Sequence, residues 1–230
     1  MAQHRNANLD SISFENVSFQ VSDLDPVLTS VDLEFPMDQT VLVQSSNPSH
    51  AVHLLEILAG RKSPQTGKVK WTDAEAFGEE LAGPHELVAC YFESQWPSPE
   101  ITVQELLKST DCSAIMMNEA IEHFELKKVL PKKFRQLSFE LQKLVLLILP
   151  TLKTPQMLIL EDPAPGLSEK AFLNYLDWIQ MWQRQGHLRH IYMTNNHPAA
   201  ARHLQATSLY VEDGLIYSDE ADGFKKIMHF

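Results

Sequence analysis

Glycine is scarce in this sequence: the 230 residues contain eight glycines, and the first of them is Gly60. A loop that wraps phosphate groups with its backbone N–H groups depends on glycine, which lets the backbone approach a ligand closely and adopt positive φ angles. The part of the chain before Gly60 therefore contains no standard glycine-rich phosphate loop.

Cysteines are also few, and long apolar runs are absent. Cys90 and Cys112 show no spacing typical of a metal site, and nothing in the sequence indicates a disulfide between them. A reducing cytoplasm is the simpler expectation. The longest apolar run, residues 144–150, is much shorter than the ~18–20 residues of a membrane span. Residues 1–10 lack the apolar stretch of a signal peptide, so we expect a cytoplasmic protein that reaches a membrane only through a partner.

Basic residues are outnumbered: 19 Lys and Arg face 30 Asp and Glu, which gives a formal net charge of −11. Such a chain gains nothing from bulk electrostatics on meeting nucleic acid, so we expect no nucleic-acid partner. A phosphate site would need strong local compensation. The hydrophobic fraction of 44% is enough for a sizeable core and excludes a disordered composition.

What the sequence does contain is an alternation of strand-like and helix-like segments. Strand-like runs occur at residues 12–20, 28–35, 40–44, 67–71, 87–92, 157–160, 191–194 and 209–211. Between them, helical patterns begin at Ser49 (ending at Gly60), at a capping box of Thr102 and Glu105, and at Ser168. The helical pattern that begins at Thr102 runs on through Phe124. This alternation predicts an α/β fold with a parallel sheet. Residues from about 95 to 137 are helical without strands, which predicts an inserted helical subdomain within one fold spanning 1–230.

The order and spacing of these segments resemble an ATP-binding cassette (ABC) ATPase subunit over roughly residues 12–217. The resemblance is carried by segments 12–19, 26–35, 54–60, 63–69, 101–106, 136–138, 157–163, 166–167 and 211–216. It implies a P-loop NTPase-like core with an N-terminal antiparallel β subdomain and an inserted helical subdomain.

The phosphate loop of this family is the most altered feature. The positions of its two glycines, its lysine and its hydroxyl hold Ser45, His50, Ala51 and Val52, so the groups that cradle phosphate and Mg²⁺ are missing. Pro48 removes a further N–H donor. The dipole of the following helix still attracts anions, but by only about 1 kcal/mol.

The carboxylates of the family's Walker B strand survive in inverted order. Glu161 and Asp162 stand where the resemblance implies an aspartate for Mg²⁺ and then a glutamate for the attacking water. A weak metal site stays open as one interpretation. A remnant pair that caps or salt-bridges nearby loops is the interpretation we favour.

Three further positions depart from the family pattern. Glu93, with Gln95 nearby, replaces the glutamine of the Q-loop, and Asn195 replaces the switch histidine. The signature motif keeps the hydroxyl of Ser138, but Phe139 and Glu140 replace its two glycines. The negative charge of Glu140 is expected to repel a phosphate bound by a partner subunit.

Together these changes predict a non-catalytic ABC ATPase-like subunit, a structural or regulatory partner of a membrane transporter or envelope complex. The partners expected are an ABC-type permease or other membrane subunit, and a second ABC ATPase subunit in a homo- or heterodimer. No cofactor is expected. The alternatives are a divergent ATPase that binds ATP and Mg²⁺ weakly at a non-standard site, half of an asymmetric heterodimer, or a free-standing scaffold. His50 and His53 lie three residues apart on one predicted helix, a spacing that we attribute to chance because no third metal ligand lies nearby.

Overall fold

The computed structural model describes residues 9–22, 25–35, 37–73, 79–80, 87–194 and 198–218. In these ranges the chain forms an antiparallel sheet, a mixed sheet and helices packed on both. Asn195, at the position of the switch histidine, lies outside the described residues. Cys90 and Cys112 are free thiols.

The antiparallel sheet has four strands. Its spatial order is β2 (Asp25–Glu34), β1 (Leu9–Ser22), β4 (Thr66–Asp73) and β5 (Glu79–Glu80). β1 pairs with both β2 and β4 in antiparallel register. Alternating apolar residues of the first two strands, such as Phe14, Val31 and Leu33, are buried on the inner face, as the period-two pattern predicts.

The mixed sheet has six strands. Its spatial order is β10 (Leu215–Ser218), β9 (Thr207–Glu212), β3 (Thr40–Gln44), β8 (His190–Thr194), β7 (Met157–Leu160) and β6 (Val88–Tyr91). All neighbours are parallel except β10 and β9. Every residue of β7 and β8 is buried, because helices or strands cover both faces of a parallel sheet. The predicted α/β fold class is confirmed.

In the part of the chain that the structure describes, six α-helices accompany the sheets. They are α1 (Pro48–Leu58), α2 (Val103–Lys108), α3 (Ala114–His123), α4 (Phe139–Leu152), α5 (Glu169–Arg184) and α6 (Pro198–Leu204). Single 3₁₀ turns span Leu126–Lys128 and Phe134–Gln136. The predicted capping box of Thr102 and Glu105 at α2 and the Ser168 cap of α5 are both confirmed. Within the described ranges, no helix combines the length and apolar composition that crossing a bilayer requires.

Two helix predictions need correction. α1 is capped by Asn47 rather than Ser49: the Asn47 side chain accepts a hydrogen bond from the Ser49 N–H, and Pro48 is the first helical residue, a position that its fixed φ and missing donor suit. The pattern read as running on from Thr102 is two helices, because Ser113 caps a new helix after α2 ends. Residues 95–137 hold α2, α3 and the 3₁₀ turns; the boundaries of a helical subdomain stay a prediction.

The strand ends position the candidate site. Because β3, β6, β7 and β8 are parallel, their carboxyl ends meet at one edge of the mixed sheet. Ser45, Glu93, Glu161 and Thr194 lie at or just beyond these ends. One sheet edge therefore gathers residues that are distant in the sequence.

Candidate functional site

A cleft of about 120 Å³ lies at this edge of the mixed sheet. Most of the positions singled out from the sequence line it: Ser45, Ala51, Val52, Glu93, Glu161 and Asp162. Pro48 and Thr194 also line it. His50 and Ser138 do not, and they are described separately below. The sequence pattern thus identified much of the lining, because these residues follow parallel strands.

The loop between β3 and α1 is closed by a carboxylate of the chain itself. The backbone N–H and the hydroxyl of Ser46 both donate to the carboxylate of Glu212, at the end of β9. These hydrogen bonds lower the pKa of Glu212, since they stabilise its charged form. The negatively charged side chain of Glu212 therefore lies against the loop.

Three further N–H groups of this loop and of the first turn of α1 are also engaged. The Asn47 N–H donates to the Ser45 hydroxyl over 3.2 Å, and the Ser49 N–H to the Asn47 side chain over 3.2 Å. The His50 N–H donates to the Asn47 carbonyl over 2.9 Å. Pro48 has no N–H. A phosphate entering this loop would have to displace internal acceptors.

The two histidines of α1 have separate partners. Nε2 of His50 lies 2.7 Å from Oδ1 of Asp25, and Nδ1 of His53 lies 3.0 Å from Oε2 of Glu56. Glu56 also pairs with Lys62 at 2.7 Å. Across the described parts of the chain, no group of three His, Cys, Asp or Glu side chains could hold a metal ion.

Hydrogen bonds hold the acidic residues of the cleft in place. Oε2 of Glu161 accepts the Glu93 N–H over 2.8 Å. The Asp162 N–H donates to Oγ1 of Thr194 over 2.9 Å. Asp162 has φ of 38°, a left-handed conformation that is uncommon outside glycine and enriched in Asp and Asn. Burial raises the pKa of the Asp162 carboxyl, because the charged form loses hydration.

A buried lysine that the sequence pattern did not reveal contacts residues that line the cleft. Nζ of Lys143, in α4, lies 2.8 Å from Oε1 of Glu93 and 3.0 Å from the carbonyl oxygen of Asp162. The residue is 1% exposed. A signal was present, since Lys143 directly precedes the apolar run of residues 144–150 in α4. A charge at a core-facing helix position needs a buried partner.

The comparison with known sequences decides the family. Residues 28–165, more than half of the chain, match the sequence profile of the ABC transporter family. The chain belongs to the ABC transporter family.

Relatives and solved structures agree with this assignment. The zinc import ATP-binding protein ZnuC of Acinetobacter baylyi is 24% identical over 172 residues, which is 74% of this chain and 61% of that relative. The matched region is thus less than two thirds of the relative's length. An ATP-binding subunit of an ABC transporter has a TM-score of 0.74 at 17% identity, covering 91% of this chain and 90% of that one.

A second structure, the ADP conformation of MJ1267, an ATP-binding cassette of an ABC transporter, has a TM-score of 0.71 at 15% identity, covering 91% of this chain and 90% of that one. At these identities the structures establish the fold. It is the α/β ABC ATPase fold with an antiparallel β subdomain and a mixed sheet, as the sequence predicts.

The segment that aligns with the ABC signature motif is engaged within the chain. Oγ of Ser138 accepts the Leu141 N–H over 3.3 Å and caps α4. Oε1 of Glu140 accepts the Ser168 N–H over 2.8 Å. Hydrogen bonds with the side chain and the backbone of Ser168 lower the pKa of Glu140. The charge of Glu140 is therefore directed to the start of α5.

An exposed aromatic pair lies beside this segment. The ring of Phe139, 60% exposed, stacks on Trp96 with centroids 6.1 Å apart and packs on Gly166. Nε1 of Trp96 donates to the Glu93 carbonyl over 2.9 Å. The aromatic pair is therefore attached to the rim of the cleft.

These residues do not fit Mg²⁺-bound ATP in the manner of the ABC ATPases that the chain resembles. The loop donors that would hold phosphate already have internal acceptors. The ammonium group of Lys143 contacts the carboxylate of Glu93, which lines the cleft, and the backbone carbonyl of Asp162.

Proposed function

We propose that this chain is a non-catalytic ABC-type subunit that acts as a structural or regulatory partner of a membrane transporter or a related envelope complex. The observation that carries the proposal is the loop after β3, whose N–H donors bind the chain's own acceptors, among them Glu212. The fold is kept, and its value lies in contacts with other subunits. We place it in the cytoplasm, peripheral to the inner membrane through its partner.

A groove beside the cleft supports a membrane partner. It has a volume of about 310 Å³ and is lined in part by Tyr91, Trp96, Pro97, Thr110 and Leu146. The ring of Trp96 is 47% exposed there, and a large exposed aromatic next to a groove is typical of a protein-binding surface. A permease or other membrane subunit is the partner we propose. Zinc import is the activity named for the Acinetobacter baylyi relative, and the cargo of a complex containing this chain is a separate question.

Nucleotide binding is the first test. Calorimetry and thermal shift with millimolar ATP and Mg²⁺ should show no heat and no rise in melting temperature. A ligand at 100 times its Kd adds ~2.7 kcal/mol of stability, so binding would be visible. An ABC ATPase with an intact phosphate loop serves as the positive control. A saturable shift would refute the proposal.

The second test is assembly. Trp96→Ala should weaken co-purification of the chain with the membrane subunit, whereas Ile115→Ala, also an exposed apolar residue at 71% exposure, should not. Sedimentation of the complex would distinguish a homodimer from a heterodimer of ABC-type subunits. Assembly unaffected by Trp96→Ala would contradict the role of this groove.

The competing function is a divergent ATPase, including one half of an asymmetric heterodimer. The observation that favours it is the cleft itself, where Asp162 and Glu161 are lining residues and burial raises the pKa of Asp162. Mg²⁺-dependent turnover that Asp162→Ala abolishes would support this function. Absence of turnover by the chain alone and with its partner would exclude it.

A further inference from the structure

Lys143 is buried in the middle of α4, with 1% of its surface exposed. An isolated ammonium is strongly disfavoured in a protein interior, so a buried lysine is retained only with closely placed partners. The next two residues of the helix, Leu144 and Val145, are apolar and buried. The contacts of the Lys143 ammonium therefore indicate its role.

The ammonium group contacts two separate segments of the chain. Nζ lies 2.8 Å from Oε1 of Glu93, after β6, and 3.0 Å from the carbonyl oxygen of Asp162, after β7. It also lies 5.0 Å from the centroid of the Tyr91 ring, within the range of a cation–π contact. One cation thus joins the segments that follow two neighbouring strands.

Both segments are anchored further on their other sides. The Glu93 N–H donates to Glu161 over 2.8 Å, and the Glu93 carbonyl accepts from the Trp96 ring over 2.9 Å. The Asp162 N–H donates to Thr194 over 2.9 Å, so the backbone of Asp162, at φ of 38°, is held at both its N–H and its carbonyl. Lys143 stands at the centre of this network.

We propose that Lys143, which contacts the cleft-lining residues Glu93 and Asp162, is a positioning residue that fixes residues 93–100 in place. This role rests on the proposed non-catalytic function, and it explains how the segment that faces the partner is held in place. The segment includes Trp96 and Pro97, which line the partner groove. The conformation of the partner groove then does not depend on a bound ion, because the cation that holds residues 93–100 is a side chain of the protein.

Hydrogen–deuterium exchange on the full chain tests this role. Lys143→Met and Glu93→Ala should each raise exchange in residues 93–100 by roughly tenfold, because each removes the same buried charge-assisted contact. The double variant should show no further increase. Glu93→Gln keeps an acceptor at Oε1 and should recover part of the protection.

Hydrogen–deuterium exchange at the amides that pair β1 with β4 distinguishes this role from a general destabilisation of the fold. A merely structural effect of Lys143→Met would raise exchange there as well as in residues 93–100. The matched control is Lys133→Met. It removes the exposed ion pair, 2.7 Å between Nζ and Oε2, that joins Lys133 to Glu100 at the other end of residues 93–100. We expect this control to change exchange by less than about twofold, since exposed pairs contribute little.

The outcomes are distinct. Folded Lys143→Met and Glu93→Ala proteins with wild-type protection of residues 93–100 would overturn the role of Lys143. If Lys143→Met does not fold, Glu93→Ala decides alone, because the Glu93 side chain is 52% exposed and its loss leaves the core packed. Repeating the wild-type measurement with millimolar ATP and Mg²⁺ tests the proposed function separately: altered protection would refute the non-catalytic subunit whatever the variants show.

Discussion

Glu212 holds the backbone N–H and the hydroxyl of Ser46 with its two carboxylate oxygens. The two residues are separated by 166 positions in the sequence, and β9 lies beside β3 in the sheet. In the ABC ATPases that this chain resembles, the corresponding loop receives phosphate. Here a carboxylate of the protein itself lies against that loop. The acidic side chain and a phosphate cannot use the same N–H.

Removing this carboxylate should release the loop without restoring nucleotide binding. In Glu212→Ala, amide exchange at Ser46 should rise by roughly tenfold, because its N–H loses its acceptor. NMR exchange of the Ser46 amide measures this. Glu212→Gln retains one acceptor oxygen and should show a smaller rise. Unchanged exchange in Glu212→Ala would mean that the contact is absent in solution.

His190 should make the fold sensitive to acid. Burial, together with the nearby Arg189 charge, lowers the pKa of His190 to about 4, while an unfolded histidine titrates near 6.5. Between these values the unfolded chain binds more protons, so the free energy of unfolding falls as pH drops from 6.5 towards 4. The loss should reach about 3 kcal/mol.

Denaturant unfolding at several pH values measures this slope. His190→Asn keeps an acceptor for the Asp38 N–H, which donates to Nδ1 of His190 over 2.7 Å. The free energy of unfolding of this variant should fall less steeply as the pH drops over the same range. Equal slopes for both proteins would contradict the assignment to His190.

Gly67 and Gly186 provide a matched pair for backbone strain. Both have positive φ, 80° and 75°. A Cβ at Gly67 would lie 2.2 Å from the carbonyl oxygen of Asn16, whereas one at Gly186 meets nothing within 4 Å. Gly186→Ala should therefore cost only the left-handed penalty of about 1 kcal/mol. Gly67→Ala should cost clearly more, since the backbone of β1 must move. Thermal unfolding of the two variants checks the order.

Trp178 should be a major contributor to the packing of α5. It is 1% exposed, its Nε1 donates to Thr151 over 3.2 Å, and its ring lies 5.4 Å from the rings of Phe124 and Trp182. Trp178→Ala should lower the free energy of unfolding by about 3–5 kcal/mol. Ile115→Ala, at an exposed position, should change it by less than about 0.5 kcal/mol. Denaturant unfolding compares the two.

Local signals in the sequence were reliable where the physics is local. The β3 strand was predicted with the bounds that the structure has, and the capping box of Thr102 and Glu105 is formed. The cap of α1 was misplaced because Asn47 and Ser49 are both good capping residues, and the position of Pro48 between them decides which one serves. The break between α2 and α3 was missed because apolar spacing continues across it.

The candidate site was only partly visible in the sequence. The sequence placed Ser45, Glu93 and Glu161 at strand ends, and parallel strands bring such ends together. No sequence pattern indicated a partner for Lys143 or Glu212, since their contacts join residues 50 and 166 positions apart. The sequence predicts that the charge of Glu140 repels a partner's phosphate, and the structure adds that this carboxylate accepts from the Ser168 N–H.

The sequence by itself determined the order of strands and helices and the family resemblance, because periodicity and motif residues are written along the chain. Only the tertiary structure decided which charged groups lie at the candidate site: the carboxylate of Glu212 at the loop after β3, and the ammonium of Lys143 against the cleft residue Glu93. The physical reason is that a buried charge is tolerated only where folding brings a complementary group within hydrogen-bond distance, and that pairing depends on how distant segments pack.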